Sequence, residues 1–365
     1  MSSSRSHSGN ADLPRRTGAT NSGALLLAAV ERATANHRTQ SKANSTMDAE
    51  DKNAGMWQRA LGRPQSRHGW RPAEPPRQAV LFVNPHSGDG TAARAALAER
   101  ARGREIEVVT LTPGQNLADL AEAAVASGAD ALGMAGGDGS LSVVAAVAAA
   151  NGLPFICVPA GTRNHFAADL GIDRRDPVGA LDAFIDGLER RIDMAEVNGR
   201  LFLNNVSLGI YGAAVRKQAY RDAKVRTLVE TAQQVLGPSA QAFRLRLVND
   251  QGSEHRHLAI VIVSNNPYAL DRTPRRGARP ALDSGQLGII ILDSPSEGSR
   301  PPGQAWTAPA LEVSAPAPVH AGIDGEAVDL NSPLRFATRP AALLVRVSSH
   351  HPGALPAARP MPPRA

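Results

Sequence analysis

The sequence predicts an α/β half followed by an all-β half. Three observations carry this. Between residues 79 and 190, apolar strand-like runs alternate with stretches of helical period. After residue 191, nearly every segment is a short strand bounded by turn residues. Three glycine-bearing turns each follow a strand of the first half, where open parallel sheets bind ligands.

The first strand is the clearest. Ala79-Val80-Leu81-Phe82-Val83 is a continuous apolar run closed by Asn84-Pro85, the pattern of a strand buried on both faces. Helical periodicity follows at 91–102, a β-branched stretch at 105–110 and an Ala-rich helix at 117–127. Next come a short apolar run at 131–135, a helix at 141–150 and a strand at 154–158. Alternation of this kind implies a parallel sheet with helices on both faces. Beyond it, strand-like segments fall at 191–196, 201–208, 243–248, 255–263, 287–292, 311–314, 319–323, 334–337 and 342–347; 212–235 alone reads as helix. Many short strands predict a β-sandwich. The expected domains are a basic, mostly disordered arm (1–78), an α/β domain (79–190), a β-sandwich (191–348) and a Pro/Ala/Arg tail (349–365).

Composition bounds the rest. With 365 residues the chain is long enough for two cores, and only 4% are aromatic, so aliphatic side chains must fill them. A single cysteine, Cys157, excludes an intrachain disulfide scaffold and, lying in a strand, reads as core filler. The net charge of +6 comes from residues 1–78, which hold 12 Lys and Arg against 6 Asp and Glu, leaving 28 of each beyond. The arm reads as a solvated leader, or as a segment touching anionic lipid or nucleic acid; nucleic acid is not the expected partner. No apolar run reaches the roughly 18 residues of a membrane span, so a cytoplasmic protein is expected, and any contact with the inner membrane face would be peripheral. The basic stretch at 272–279 reads as a solvated loop, or else as a face for anionic headgroups. His86 reads as a capping or solvent-facing side chain rather than a ligand contact, and His255, His257, His350 and His351 lack the company that zinc requires.

The turns carry the chemistry. They are Asn84-Pro85-His86-Ser87-Gly88-Asp89-Gly90, Gly136-Gly137-Asp138-Gly139-Ser140 and Pro159-Ala160-Gly161-Thr162-Arg163-Asn164. Glycines let backbone N–H groups approach a phosphate, and the helix after the second turn adds its N-terminal dipole. Asp138 has the wrong sign for phosphate alone and makes sense beside Mg²⁺. Neither Gly-x-x-x-x-Gly-Lys-Ser/Thr nor Gly-x-Gly-x-x-Gly is present as a strand–turn–helix unit. Taken singly, Gly-Gly-Asp-Gly also reads as a tight capped turn, and Asp324-Gly325 as a hairpin turn.

Together with Phe202-Leu203-Asn204-Asn205-Val206-Ser207-Leu208-Gly209, Leu282-Asp283-Ser284-Gly285-Gln286-Leu287 and Ile323-Asp324-Gly325-Glu326, the three turns resemble, in order, the catalytic domain of the diacylglycerol kinase, sphingosine kinase and bacterial lipid kinase family. The resemblance spans about 79–348. It implies a first domain like that of phosphofructokinase and NAD kinase, a C-terminal β-sandwich, ATP in the cleft between them, and part of the final segment returning to the first domain. By the same resemblance Asn84, Ser87, Gly136, Gly137, Gly139 and Ser140 hold nucleotide phosphates, and Gly161, Thr162 and Arg163 line that cleft. Asp138 organises Mg²⁺ and water, Asp324 is the general base and Glu326 a Mg²⁺ ligand. Asp283 and the Leu287 carbonyl hold a structural Mg²⁺. The implied substrate is a lipid hydroxyl, in phospholipid metabolism; a homodimer is left open. The departures are Arg163, where glycine is usual, and His165, where an acid is usual; Ser140 replaces a common Thr. Two alternatives stay in view: a soluble-substrate kinase like NAD kinase, which shares Gly-Gly-Asp-Gly, and, because of Arg163 and His165, a catalytically silent nucleotide- or lipid-binding module.

Overall fold

The structure is a computed structural model that describes residues 69–85, 91–209, 245–249, 252–256, 258–269, 278–293 and 303–350. The expected arm to residue 68, Ser87, the 212–235 helix and the tail from 351 lie outside them.

The first half follows the predicted alternation. β1 (Arg71–Ala73) and β2 (Ala79–Val83) lead into α1 (Thr91–Arg102), β3 (Glu107–Thr110) and α2 (Leu117–Ala126). Then come β4 (Ala131–Gly136), α3 (Asp138–Ala150), β5 (Pro154–Pro159), α4 (His165–Asp169) and α5 (Pro177–Ala180), the last continued by a 3-10 turn over Leu181–Phe184. The second half is β6 (Gly187–Val197), β7 (Arg200–Phe202), β8 (Asn205–Gly209), β9 (Arg246–Val248), β10 (Glu254–Arg256), β11 (Leu258–Asn265) and β12 (Leu287–Asp293). It ends with β13 (Gly303–Ala308), β14 (Ala310–Ser314), β15 (Val319–Ile323), β16 (Glu326–Leu330) and β17 (Leu334–Ser348).

Strands β3, β2, β4 and β5 pair in parallel, in that order. Their apolar runs are explained by burial on both faces: Leu81, Phe82, Leu132, Met134, Phe155 and Ile156 are all inaccessible. Fully burying such a side chain contributes roughly 1.5–3 kcal/mol. The C-terminal ends of β2, β4 and β5 therefore lie side by side on a rigid frame, and the three glycine turns leave from them.

The second half is a two-layer sandwich. The antiparallel sheet β13-β12-β11-β8-β15-β16 packs on β6, β7, β9, β14 and the start of β17. Val206, Val261 and Ile289 from one layer meet Phe202, Val313 and Phe336 from the other. Strand β17 belongs to both halves. It pairs antiparallel with β14 and β6, and its last residues add in parallel to β5, with Leu344 beside Pro154. A bulge between Arg339 and Leu343 lets one strand bend from sandwich into parallel sheet.

Folded structure begins before Gln78. β1 pairs with β6, and Trp70 is buried. Arg346, on β17, holds this segment: Nε donates to Ala183 O at 2.6 Å, Nη1 to Glu74 O at 2.9 Å and to Glu189 Oε1 at 3.0 Å, and Nη2 to Ala73 O at 3.2 Å. Arg346→Met would leave three carbonyls and a carboxylate without their donor. It is expected to cost about 3 kcal/mol, read as a lower urea midpoint at unchanged slope.

Candidate active site

The β4–α3 turn sets the first part of the site. Gly137 caps α3 with extended backbone (φ −87°, ψ 171°) and no side-chain cap. The N–H groups of Asp138, Gly139 and Ser140, in the first helical turn, are thus presented at the positive end of the helix dipole. A phosphate oxygen is the fitting acceptor. Asn84, at the end of β2, donates through Nδ2 to Ser140 Oγ at 3.3 Å, and its N–H donates to Ala135 O at 3.0 Å. Two of the three turns therefore touch directly.

The third turn is pressed against the second. A Cβ on Gly161 would stand 2.4 Å from Gly137 Cα, so nothing larger than glycine fits. Asn164 closes this turn from a left-handed conformation (φ 51°), which Asn tolerates better than most residues. Its Oδ1 accepts from Gly161 N at 2.8 Å and its Nδ2 donates to Gly161 O at 2.9 Å. Asp138 then bridges the two motifs: Oδ2 accepts from His165 N at 3.2 Å and Oδ1 from Phe166 N at 3.1 Å, capping α4. The departure at His165 leaves this link intact, because the backbone makes it while the side chain is exposed. Thr162 is exposed and Arg163 half-buried at the same turn.

The β15–β16 hairpin brings the last motif. Asp324 (φ 48°) and Gly325 (φ 90°) form the two-residue turn between paired Ile323 and Glu326. Left-handed backbone at both positions is what the right-handed twist of a hairpin favours. The turn reading and the chemical reading thus both describe Asp324. Its side chain does not face solvent: it is 7% exposed and accepts three backbone N–H groups. Leu203 N donates to Oδ2 at 2.8 Å; Asn204 N and Asn205 N donate to Oδ1 at 2.7 and 3.1 Å. A carboxylate has about four acceptor sites, so one remains, on Oδ2. Burial pushes the carboxyl up to about 6, the Leu203 and Asn204 N–H groups pull the other way, and the Asp138 carboxylate adds to the rise. Exposed Glu326 reaches across to α3: a Cβ on Gly139 would meet Glu326 Oε1 at 2.6 Å. The hairpin of the second half thus lies over the N-terminus of α3 in the first.

Several residues of this site were missed. The basic stretch ending at Arg279 was expected to be a solvated loop. Residues 272–277 lie outside the described ones, but Arg279 is wholly buried and ion-paired to Asp169. Tyr268 accepts from Asn205 Nδ2 at 2.9 Å, and burial pushes its phenol up to about 12. Cys157, by contrast, is the buried core filler in β5 that the sequence led us to expect, and its thiol is raised by that burial and then by Asp138.

The two expected magnesium sites fare differently. Among the described residues no cluster of three or more His, Cys, Asp or Glu side chains could hold a metal ion. Mg²⁺ bound mainly by phosphate and water needs one or two carboxylates, and Asp138 and Glu326 at the α3 terminus fit that demand. The structural site at Asp283 and Leu287 does not fit. Arg190 is ion-paired with Asp283, while neighbouring Asp193 takes Gly285 N at 2.7 Å and Ala341 N at 2.9 Å. The guanidinium supplies the positive charge that a metal would bring. Asp193 is itself raised by burial first, with the Asp283 charge adding to the rise.

Residues 78–197 match the family described as the diacylglycerol kinase catalytic domain. A Pseudomonas aeruginosa protein named "Probable lipid kinase YegS-like" is 31% identical over 298 residues, 76% of this chain and 96% of that one. The chain belongs to the diacylglycerol kinase family. A Mycobacterium tuberculosis diacylglycerol kinase is 36% identical over 124 residues, a match covering 33% of this chain and 40% of that one. The fold is likewise that of a diacylglycerol kinase from Bacillus anthracis, whose crystal structure aligns with a TM-score of 0.53 at 15% identity, covering 76% of this chain and 98% of that one. Within the diacylglycerol kinase family match lie β2, β4, β5 and α4, with all three glycine turns; Asp324 and Glu326 lie beyond it and are delivered by the sandwich.

Proposed function

We propose that this chain is an ATP-dependent lipid kinase that moves the γ-phosphoryl group of ATP to a lipid hydroxyl. The observation that carries the reading is the meeting of Asp324 and Glu326 with the bare N-terminus of α3. Phosphoryl transfer asks for alignment, charge neutralisation and a base near the attacking oxygen. The α3 amides and Asn84 orient the phosphates, and Thr162 and Arg163 border the same cleft. Asp324 accepts the hydroxyl proton at Oδ2 as the acceptor oxygen bonds to phosphorus and the bond to the β-phosphate breaks, releasing ADP. Bound Mg²⁺, held by Glu326 and Asp138, would neutralise phosphate charge. Among the described residues no helix is long and apolar enough to cross a membrane; we infer that the lipid is met by peripheral contact at the cytoplasmic face.

The test is direct. Incubation of γ-labelled radioactive ATP with the full chain, Mg²⁺ and a total lipid extract should yield label that partitions into organic solvent. Label appearing only in aqueous products, or none transferred at all, would overturn the reading.

A further inference from the structure

We propose that Arg279 is a positioning residue for phosphoryl transfer, tying helix α4 to the 203–205 turn that grips Asp324. The inference rests on the lipid-kinase reading above.

The Arg279 side chain is inaccessible to solvent. A guanidinium carries five N–H donors in a rigid fork and keeps its charge. Four of the five have partners here. Nε donates to Asp169 Oδ2 at 2.7 Å. Nη2 donates to Asn204 Oδ1 at 2.7 Å. Nη1 serves both Leu203 O and Asn265 O, the latter at 2.9 Å. The Arg279 backbone N–H adds a bond of 3.2 Å to Asp169 Oδ1. Asp169 ends α4, the helix whose start is capped by Asp138. Leu203 and Asn204 are two of the three residues whose amides hold Asp324. One side chain thus joins the nucleotide-side motif to the acceptor-side turn, although its partners lie 110 and 75 residues away in sequence.

Stability alone accounts poorly for such a residue. Dehydrating two charges cancels much of their attraction, and an apolar pair of similar volume often does as well. What a guanidinium adds is direction. The Leu203 N–H goes to Asp324 while its carbonyl accepts from Arg279 and, at 3.1 Å, from Asn265 Nδ2. The Asn204 N–H goes to Asp324, its side chain accepts from Arg279, and its carbonyl accepts from Asn265 N at 2.9 Å. Each peptide is held on both sides. The turn cannot rotate without losing bonds to Asp324 and to Arg279 together. Because a misplacement of about 1 Å can cost about 100-fold in rate, a turn held this way bears on kcat directly.

The experiment compares wild type with Arg279→Lys and Arg279→Met in the lipid-extract assay, well below each melting temperature. Lysine keeps a charge for Asp169 but cannot also reach Asn204 and the two carbonyls. In Arg279→Lys we expect kcat to fall by about 30-fold or more while the Kd for ATP stays within about threefold of wild type. Backbone amide exchange at 203–205 should quicken by about tenfold, with the β12 amides unchanged. Arg279→Met should show the same losses, larger; if it does not fold, the lysine variant still decides. Wild-type kcat in Arg279→Lys, or unchanged exchange at 203–205, overturns the proposal. If wild type labels no lipid, the kinase reading fails, and exchange alone then decides whether Arg279 holds the turn.

Discussion

Asp324→Asn lowers kcat by about 1,000-fold or more and leaves the Kd for ATP within about threefold of wild type. The substitution keeps the side chain's size and removes its ability to take a proton at Oδ2. Nucleotide affinity is expected to survive because the α3 amides, Asn84 and Gly161 lie on the other half of the molecule. The pH dependence follows from the raised carboxyl. With its titration near 6, Asp324 is ionised and competent at neutral pH, so log kcat/KM in wild type should fall with unit slope below about pH 6. The linkage to stability has the opposite sense. The unfolded carboxyl ionises near pH 4 and the folded one near 6, so the folded state binds the extra proton between them. Its stabilising share is complete below about pH 4 and is lost as pH rises through 6. Asp324→Asn should lack that loss, which paired urea titrations at pH 4.5 and 7.5 would read. Wild-type turnover in the variant would remove Asp324 from the role of base.

Much of this site was legible in the sequence, and the reason is local. Asn84, Gly136–Ser140 and Gly161–Asn164 each follow an uninterrupted apolar run, and a run buried on both faces marks a parallel strand whose C-terminal end is where ligands sit. Asp324-Gly325 carries its turn type in two residues. What was not legible depends on pairing across distance. Arg279 stood in a run of arginines and prolines that reads as solvated; partners far off in sequence, Asp169 and Asn204 among them, make its burial tolerable. Arg71–Ala73 has no strand-like pattern and is ordered because β6 offers an edge and Arg346 holds its carbonyls. Leu344–Arg346 of β17, which extends the parallel sheet, could be read as a strand; its return to the first half came from the family resemblance, and its place beside β5 from neither. Asp283 shows the converse. A motif carried the expectation of a metal ligand, and Arg190, 93 residues away, already supplies its counter-charge.

Gly161→Ala is expected to lower kcat/KM for ATP by about 100-fold or more, through backbone misplacement rather than loss of any functional group. The added methyl would stand 2.4 Å from Gly137 Cα, 2.9 Å from Asn164 Oδ1 and 3.0 Å from Gly137 N. Two of these are backbone atoms, and Asn164 is fixed by its own bonds to Gly161, so no side chain can swing aside. The β4–α3 turn must move, and with it the N–H groups that meet phosphate. Gly139→Ala makes the graded comparison. Its methyl arrives at 2.6 Å from Glu326 Oε1 and 2.7 Å from Glu326 Cγ, but these are side-chain atoms of an exposed residue that can rotate away about its first side-chain bond. The expected loss there is about tenfold, in kcat rather than in ATP affinity, because Glu326 is displaced while the α3 amides stay in place. Equilibrium binding of ATP to both variants separates the two cases. If Gly161→Ala binds ATP as wild type does while Gly139→Ala does not, the third turn lies outside the nucleotide site, and the phosphates are held by the β4–α3 turn without the support of Gly161.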